Sequence, residues 1–217
     1  IFSGYNYQQI KQYESMFEKG FSDNHLILFG VNTIEDKSSE NKVFNSLVIV
    51  NNKFDILFKY EKNKLVPFGE FLPFENILSK LGLKKITEGH GSFNRGENIN
   101  IFTLNELKLL PLICYEIIFP ELSRSVKPKN LIVNISEDAW FGETIGPSQH
   151  LAKAIFRAVE SNVFLARSAN KGFSAFIDNK GEVKNFLKPN ETGVIELNVP
   201  FINNIQKKYK IDLIFFA

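Results

Sequence analysis

Strand-length apolar runs interspersed with helical stripes predict an α/β layered fold for this 217-residue chain. Three observations carry that expectation. NHLILFGVNTI (24–34) and KNLIVNIS (129–136) are dense apolar runs of strand length. Residues 147–162 place Leu151, Ala154, Ile155, Ala158 and Val159 on one stripe, the signature of a helix with a buried face. No internal repeat or low-complexity segment interrupts the pattern.

Each element follows from local chemistry. Residues 6–21 read as a helix and 24–34 as a strand. VFNSLVIV (43–50) and KFDILFKY (53–60) flank Asn51-Asn52, a hairpin signal. KLVPFGEFLPF (64–74) holds two prolines and a glycine, so it reads as a structured loop. A short helix is expected over 75–83 and a glycine-rich loop over 89–97. INIFTL (99–104) and LKLLPLICY (107–115) pair as strands, and 129–136 is a buried strand. A long polar and aromatic loop (138–149) leads into the helix at 147–162. Strands at 163–170, 173–179 and 193–199 close the domain around the turn Asn179-Lys180-Gly181.

Composition limits the function. A net charge of +2 gives no reason to expect a nucleic-acid partner. One cysteine excludes an internal disulfide and a multi-cysteine metal site, and no cofactor is expected. Most of the 22 phenylalanines are expected in the core, with a few on loops that touch lipid. No run reaches the about 18 apolar residues that cross a bilayer. The chain starts IFSGYNYQQ, without an initiator methionine, and ends KKYKIDLIFFA. There Lys207, Lys208 and Lys210 lead into Ile211, Leu213, Ile214, Phe215 and Phe216, which resembles the first turns of a membrane helix. The expectation is one domain over 1–210, the start of a transmembrane helix at 211–217, and a larger parent protein.

Cys114, in PLICYEIIFPE, is the residue to explain. A lone thiol is more often a small buried hydrophobe than a nucleophile. Yet Leu109 to Ile113 read as a strand, and Tyr115-Glu116 begin a helical turn. A thiol at such a bend is exposed at the sheet edge, with the next N–H groups along the chain available to an oxyanion. It also needs a base or cation to become a thiolate. His25, His90 and His150 lie in unrelated contexts, and no local pattern selects one of them. A second candidate is the loop carrying Lys62, Lys64 and Glu70, where a lysine held by a carboxylate can act as a fixed charge or proton donor. A solvated surface loop is the plainer alternative.

KNKLVPFGEFLPF, ICYE, NISEDAWFGETIGPSQH and RAVESNVFLARSANKGFSAFID, in that order, resemble the carbon–nitrogen hydrolase (nitrilase) superfamily. Their detailed wording is similar to one branch, the bacterial apolipoprotein N-acyltransferases. The resemblance implies an αββα sandwich with a Glu-Lys-Cys triad. Cys114 matches the nucleophile and Lys62 the triad lysine. Glu70 matches the second glutamate of the LVPFGE loop, which supports the triad. Tyr115 and Glu116 match the residues after the nucleophile, with the Tyr115 N–H as an oxyanion donor. The triad glutamate belongs to a W-P-E segment that does not occur in this sequence. IFSGYN resembles the stretch immediately after that segment, so the base and the first strand are expected before Ile1. Neither Glu14 nor Glu18 is a credible replacement, and the 217-residue chain alone is expected to be inactive.

The implied chemistry is transfer of a phospholipid acyl chain, through a thioester on Cys114, to the N-terminal α-amine of a diacylglyceryl-cysteine lipoprotein. The implied location is the bacterial inner membrane, with the catalytic domain on the periplasmic side. Trp140 and Phe141 would line the substrate entrance, His150 would orient structure, and Glu160 with Arg167 would form a buried ion pair. Two other readings remain: a soluble amidase or nitrilase using water as acceptor, and a non-catalytic fragment that binds lipid or lipoprotein.

Overall fold

A computed structural model describes residues 6–37, 40–74 and 92–200. Expectations for 75–83, for the start of the 89–97 loop and for 211–217 lie outside the described residues. Two sheets form the centre. The first has the order β1-β2-β3, from β1 (Ile27–Lys37), β2 (Glu40–Val50) and β3 (Ile56–Glu61), all antiparallel. The second has six strands in sequence order: β4 (Phe102–Leu104), β5 (Leu107–Ile113), β6 (Leu131–Glu137), β7 (Phe164–Asn170), β8 (Ser174–Ile177) and β9 (Val183–Leu187). Its central strands β5, β6 and β7 are parallel, and both flanks are antiparallel.

Alternation along the strands sorts side chains into layers. In β2, Leu47 and Ile49 face the second sheet and join Tyr60, Leu109, Ile113 and Ile135 in the central core. Val48 and Val50 point the other way and pack with Ile10, Phe29 and Phe54 under the N-terminal helices α1 (Tyr7–Lys11) and α2 (Glu14–Gly20). On the far side, Leu110, Leu112, Ile132 and Leu165 meet α3 (Pro120–Ser125) and α4 (Gly146–Ser161) through Leu122, Ala154 and Ala158. The order helix, sheet, sheet, helix is the αββα sandwich. Each fully buried Leu, Ile or Val in this stack contributes roughly 1.5–3 kcal/mol.

Four local expectations change. The 6–21 helix breaks after Lys11; Asn6 caps α1 through a reciprocal pair with Gln9, at 3.0 and 2.9 Å. The hairpin after β2 takes a longer turn, because Phe54 adopts φ +58° to bury its ring in the outer core. The 138–149 loop contains a 3-10 turn, Asp138–Phe141, and α4 already starts at Gly146. The last strand lies at Val183–Leu187, whereas 193–199 forms no strand. The Asp178 carboxylate takes the N–H groups of Lys180 and Glu182, both at 2.9 Å, which turns the chain into β9. Phenylalanine is less buried than expected: Phe21, Phe68, Phe74, Phe141, Phe156 and Phe186 are exposed.

Candidate active site

β5 delivers its last residue, Ile113, to the carboxyl edge of the parallel sheet, and a 3-10 turn (Cys114–Ile118) begins there. Cys114 is half-buried and has φ +51°. A left-handed backbone costs a non-glycine residue roughly 1–2 kcal/mol, so the surroundings must impose it. Two hydrogen-bonded assemblies meet at this turn.

The first is built on Glu116, whose side chain is fully buried. One oxygen accepts the Tyr60 hydroxyl at 2.9 Å and the N–H groups of Asn63 at 2.6 Å and Lys64 at 3.0 Å. The other accepts the Ile113 N–H at 2.8 Å. Burial pushes the Glu116 carboxyl above the usual range, against the three N–H groups and the nearby Lys62 charge. A single carboxylate thus ties the backbone before Cys114 to the backbone after Lys62.

Lys62 comes directly after β3 and is 1% exposed. Its N–H bonds to the Asn45 carbonyl at 2.8 Å, and its carbonyl accepts from Gly96 at 2.9 Å. Its ammonium lies 2.8 Å from both oxygens of Glu70. Glu70 is held in turn by Asn45 Nδ2 and by the Val66 N–H, each at 2.8 Å. The 64–74 loop is therefore the rigid carrier of a buried ion pair, not a solvated surface loop.

The second assembly surrounds Asp138, at the end of β6. Its carboxylate accepts from Arg167 Nη2 at 2.7 Å and Ser136 Oγ at 2.6 Å, and His150 Nδ1 lies 2.9 Å from Asp138 Oδ1 and 3.0 Å from Arg167 Nη2. Arg167 also bonds to Asn134 Oδ1 and to the Phe173 carbonyl. Burial pushes the Asp138 carboxyl up, but the His150 bond, the Arg167 charge and Ser136 outweigh it and hold it below the usual range. Gly172 makes room here: a Cβ would sit 2.3 Å from Asp138 Oδ2. Gly146 does the same for Phe141, whose ring would be 2.5 Å from an added Cβ.

Lys62 pairs with Glu70, and Glu116 ties the backbone just after Lys62 (Asn63, Lys64) to the residue just before Cys114 (Ile113). His150 is a neighbour of Cys114, but its Nε2 faces the Cys114 carbonyl at 3.2 Å and not the sulfur. His25 bonds locally to Ser22, and His90 lies outside the described residues. Both Glu116 oxygens already accept backbone N–H groups, so its side chain braces the turn. Tyr115 packs edge-on against Phe119 at 5.0 Å. Trp140 is 58% exposed, and Phe141 packs on the His150 ring. The Glu160–Arg167 pair does not form: Arg167 pairs with Asp138, and Glu160 with Arg157 at 2.9 Å. Sequence reasoning missed Asp138, Asn134 and Ser136, which only their alternation along β6 could have marked. Among the described residues no cluster of ligands could hold a metal ion, and no helix is long and apolar enough to cross a membrane.

A half-buried cysteine at the strand-to-turn junction of an αββα sandwich, on a turn that Glu116 ties to the loop of a lysine–glutamate ion pair, marks the class of this protein. The carbon-nitrogen hydrolase family matches residues 19–205, and the chain belongs to that family. Among curated proteins it is similar to an apolipoprotein N-acyltransferase of Rhizobium rhizogenes, 40% identical over 178 residues, 80% of this chain and 33% of the relative. A second, from Allorhizobium ampelinum, is 44% identical over 155 residues, 70% of this chain and 29% of the relative. The chain spans about a third of the length of these relatives. Among solved structures it is similar to an amidase from Nesterenkonia sp., with TM-score 0.56 and 19% identity over 85% of this chain and 65% of that one. A variant of that amidase with the acetamide moiety of fluoroacetamide added at its active-site cysteine has TM-score 0.57 and 18% identity, over 85% of this chain and 66% of that one. These structural matches support the fold.

Proposed function

We propose that this chain is the acyl-transfer domain of an apolipoprotein N-acyltransferase. Cys114 is the nucleophile, and Lys62, held by Glu70, supplies a fixed positive charge beside it. The observation that carries this reading is Glu116, which locks the Cys114 turn and the Lys62 loop into one rigid unit. The similarity to proteins named for N-acyl transfer selects the substrates.

In the first half-reaction the Cys114 sulfur attacks the ester carbonyl of a phospholipid. The sulfur–carbon bond forms, the ester carbon–oxygen bond breaks, and the lysophospholipid leaves with a proton. Lys62 and the Tyr115 N–H stabilise the tetrahedral oxyanion. In the second, the α-amine of a diacylglyceryl-cysteine lipoprotein attacks the thioester: the carbon–nitrogen bond forms, the carbon–sulfur bond breaks, and the proton lost by the amine passes through the base to the released sulfur. The proposed proton acceptor is the family's triad carboxylate, whose W-P-E segment does not occur in this sequence. Glu70, Glu116 and Asp138 are each already engaged by donors, so the 217-residue chain by itself is expected to turn over little or not at all. The reading places the reaction at the periplasmic side of the inner membrane, the location that the resemblance implies. Trp140 and Phe141, both exposed, are proposed to line the substrate entrance.

The test uses the complete reading frame encoding this chain, assayed with phospholipid vesicles and a diacylglyceryl-cysteine lipopeptide. Intact-mass analysis is expected to show a hydroxylamine-labile acyl group on Cys114, absent from Cys114→Ala. Lys62→Met is expected to lower lipopeptide acylation by at least about 100-fold. Thioester formation with hydrolysis as its only outcome would favour an amidase-type hydrolase. No thioester on Cys114 would leave the lipid-binding alternative.

A further inference from the structure

We propose that His150 is a positioning residue: it grips the Cys114 carbonyl and so aims the Tyr115 N–H at the oxyanion. The inference rests on the reading of Cys114 as nucleophile and the Tyr115 N–H as oxyanion donor.

The Cys114 carbonyl and the Tyr115 N–H belong to one peptide unit. In a planar trans peptide these groups point in opposite directions, so fixing the oxygen fixes the direction of the N–H. The peptide needs such a grip, because Cys114 sits in the left-handed region, φ +51°, and rotation toward an ordinary backbone would swing the N–H away. His150 reaches the oxygen from α4, with Nε2 at 3.2 Å. A carbonyl oxygen only accepts, so this contact directs the Nε2 proton at it.

The imidazole has no freedom to turn. It is 4% exposed, its Nδ1 lies 2.9 Å from Asp138 Oδ1, and Phe141 packs edge-on at 5.5 Å. Asp138 is itself fixed by Arg167 and Ser136. The chain of contacts runs Arg167, Asp138, His150, Cys114 carbonyl, Tyr115 N–H. A donor on the carbonyl also polarises the peptide and strengthens its N–H as a donor. This explains why a buried histidine approaches the cysteine without touching its sulfur.

Two reactions of Cys114 separate this role from a structural one. Acylation by p-nitrophenyl acetate forms the sulfur–carbon bond through an oxyanion and expels p-nitrophenolate, which needs no proton from the protein. Alkylation by iodoacetamide forms a sulfur–carbon bond and expels iodide, with no oxyanion. In His150→Asn the amide nitrogen replaces Nδ1 and falls short of the carbonyl; in His150→Gln it reaches the Nε2 position. For His150→Asn, acylation is expected to fall about 10-fold or more while alkylation stays within about two-fold of the unaltered chain. His150→Gln is expected to recover most of the acylation rate. Equal losses of both reactions in both variants, or acylation unchanged in His150→Asn, would overturn the proposal. Should His150→Asn not fold, the acylation-to-alkylation ratio of His150→Gln is the readout, expected near that of the unaltered chain, and a fall overturns it. All variants are made in the complete reading frame encoding this chain, and an unaltered protein there that is alkylated but never acylated would instead refute the nucleophile reading itself.

Discussion

Glu116 and Asp138 are both fully buried and both act on the Cys114 turn, one from each side. Glu116 collects three backbone N–H groups and one hydroxyl, and burial drives its carboxyl upward. Asp138 collects a guanidinium, an imidazole and a hydroxyl, and those partners hold its carboxyl down. Backbone donors cannot move without moving the chain, so Glu116 determines where Cys114 and Lys62 lie. Side-chain donors rotate unless something fixes them, so Asp138 determines how His150 and Arg167 are oriented. A nucleophile on a strained peptide needs both kinds of restraint.

Removing the charge on the Asp138 side should cost most. Asp138→Ala leaves Arg167 buried without its ion pair, and a loss of about 3–5 kcal/mol is expected from urea unfolding. A loss below about 1 kcal/mol would show that Asn134 and Phe173 hold the guanidinium without Asp138. Glu116→Gln should cost less, about 1–3 kcal/mol, because the shape is kept but an NH2 group then faces N–H donors. If Glu116 fixes the backbone, this variant should also lower Cys114 acylation and alkylation together, unlike His150→Asn.

The smallest effect separates the two carboxylates by sign. A carboxyl held below its unfolded value contributes stability that is complete above about pH 4 and is lost as pH falls through the folded value. Asp138 is of this kind, so Asp138→Asn should flatten the acid loss of stability. A carboxyl raised by folding behaves oppositely: its ionisation opposes folding, and that cost is relieved as pH falls. Glu116→Gln should therefore steepen the acid loss. Unfolding midpoints from roughly pH 3 to 7 check both slopes. Slopes of the same sign would mean that the two sites are not electrostatically distinct.

Much of the architecture was legible because its signals are local. The hairpin signal after 43–50, the apolar run of 129–136, the stripe of 147–162 and the strand-to-turn change at Cys114 each depend on a few neighbouring residues. The strand placed at 193–199 failed for the same reason. Apolar alternation marks an extended segment, but partners decide whether it pairs, and β8 is completed by 183–187 instead.

By itself, the sequence determined the layered fold, the position of Cys114 at a strand end, and the lysine–glutamate loop that its motifs share with the carbon–nitrogen hydrolases. Only the tertiary structure decided which buried charges meet. Arg167 takes Asp138 and not Glu160, and His150 takes a carbonyl and not the sulfur. Partner choice among buried polar groups depends on where three separate strands and a helix end, and no spacing along one segment encodes that.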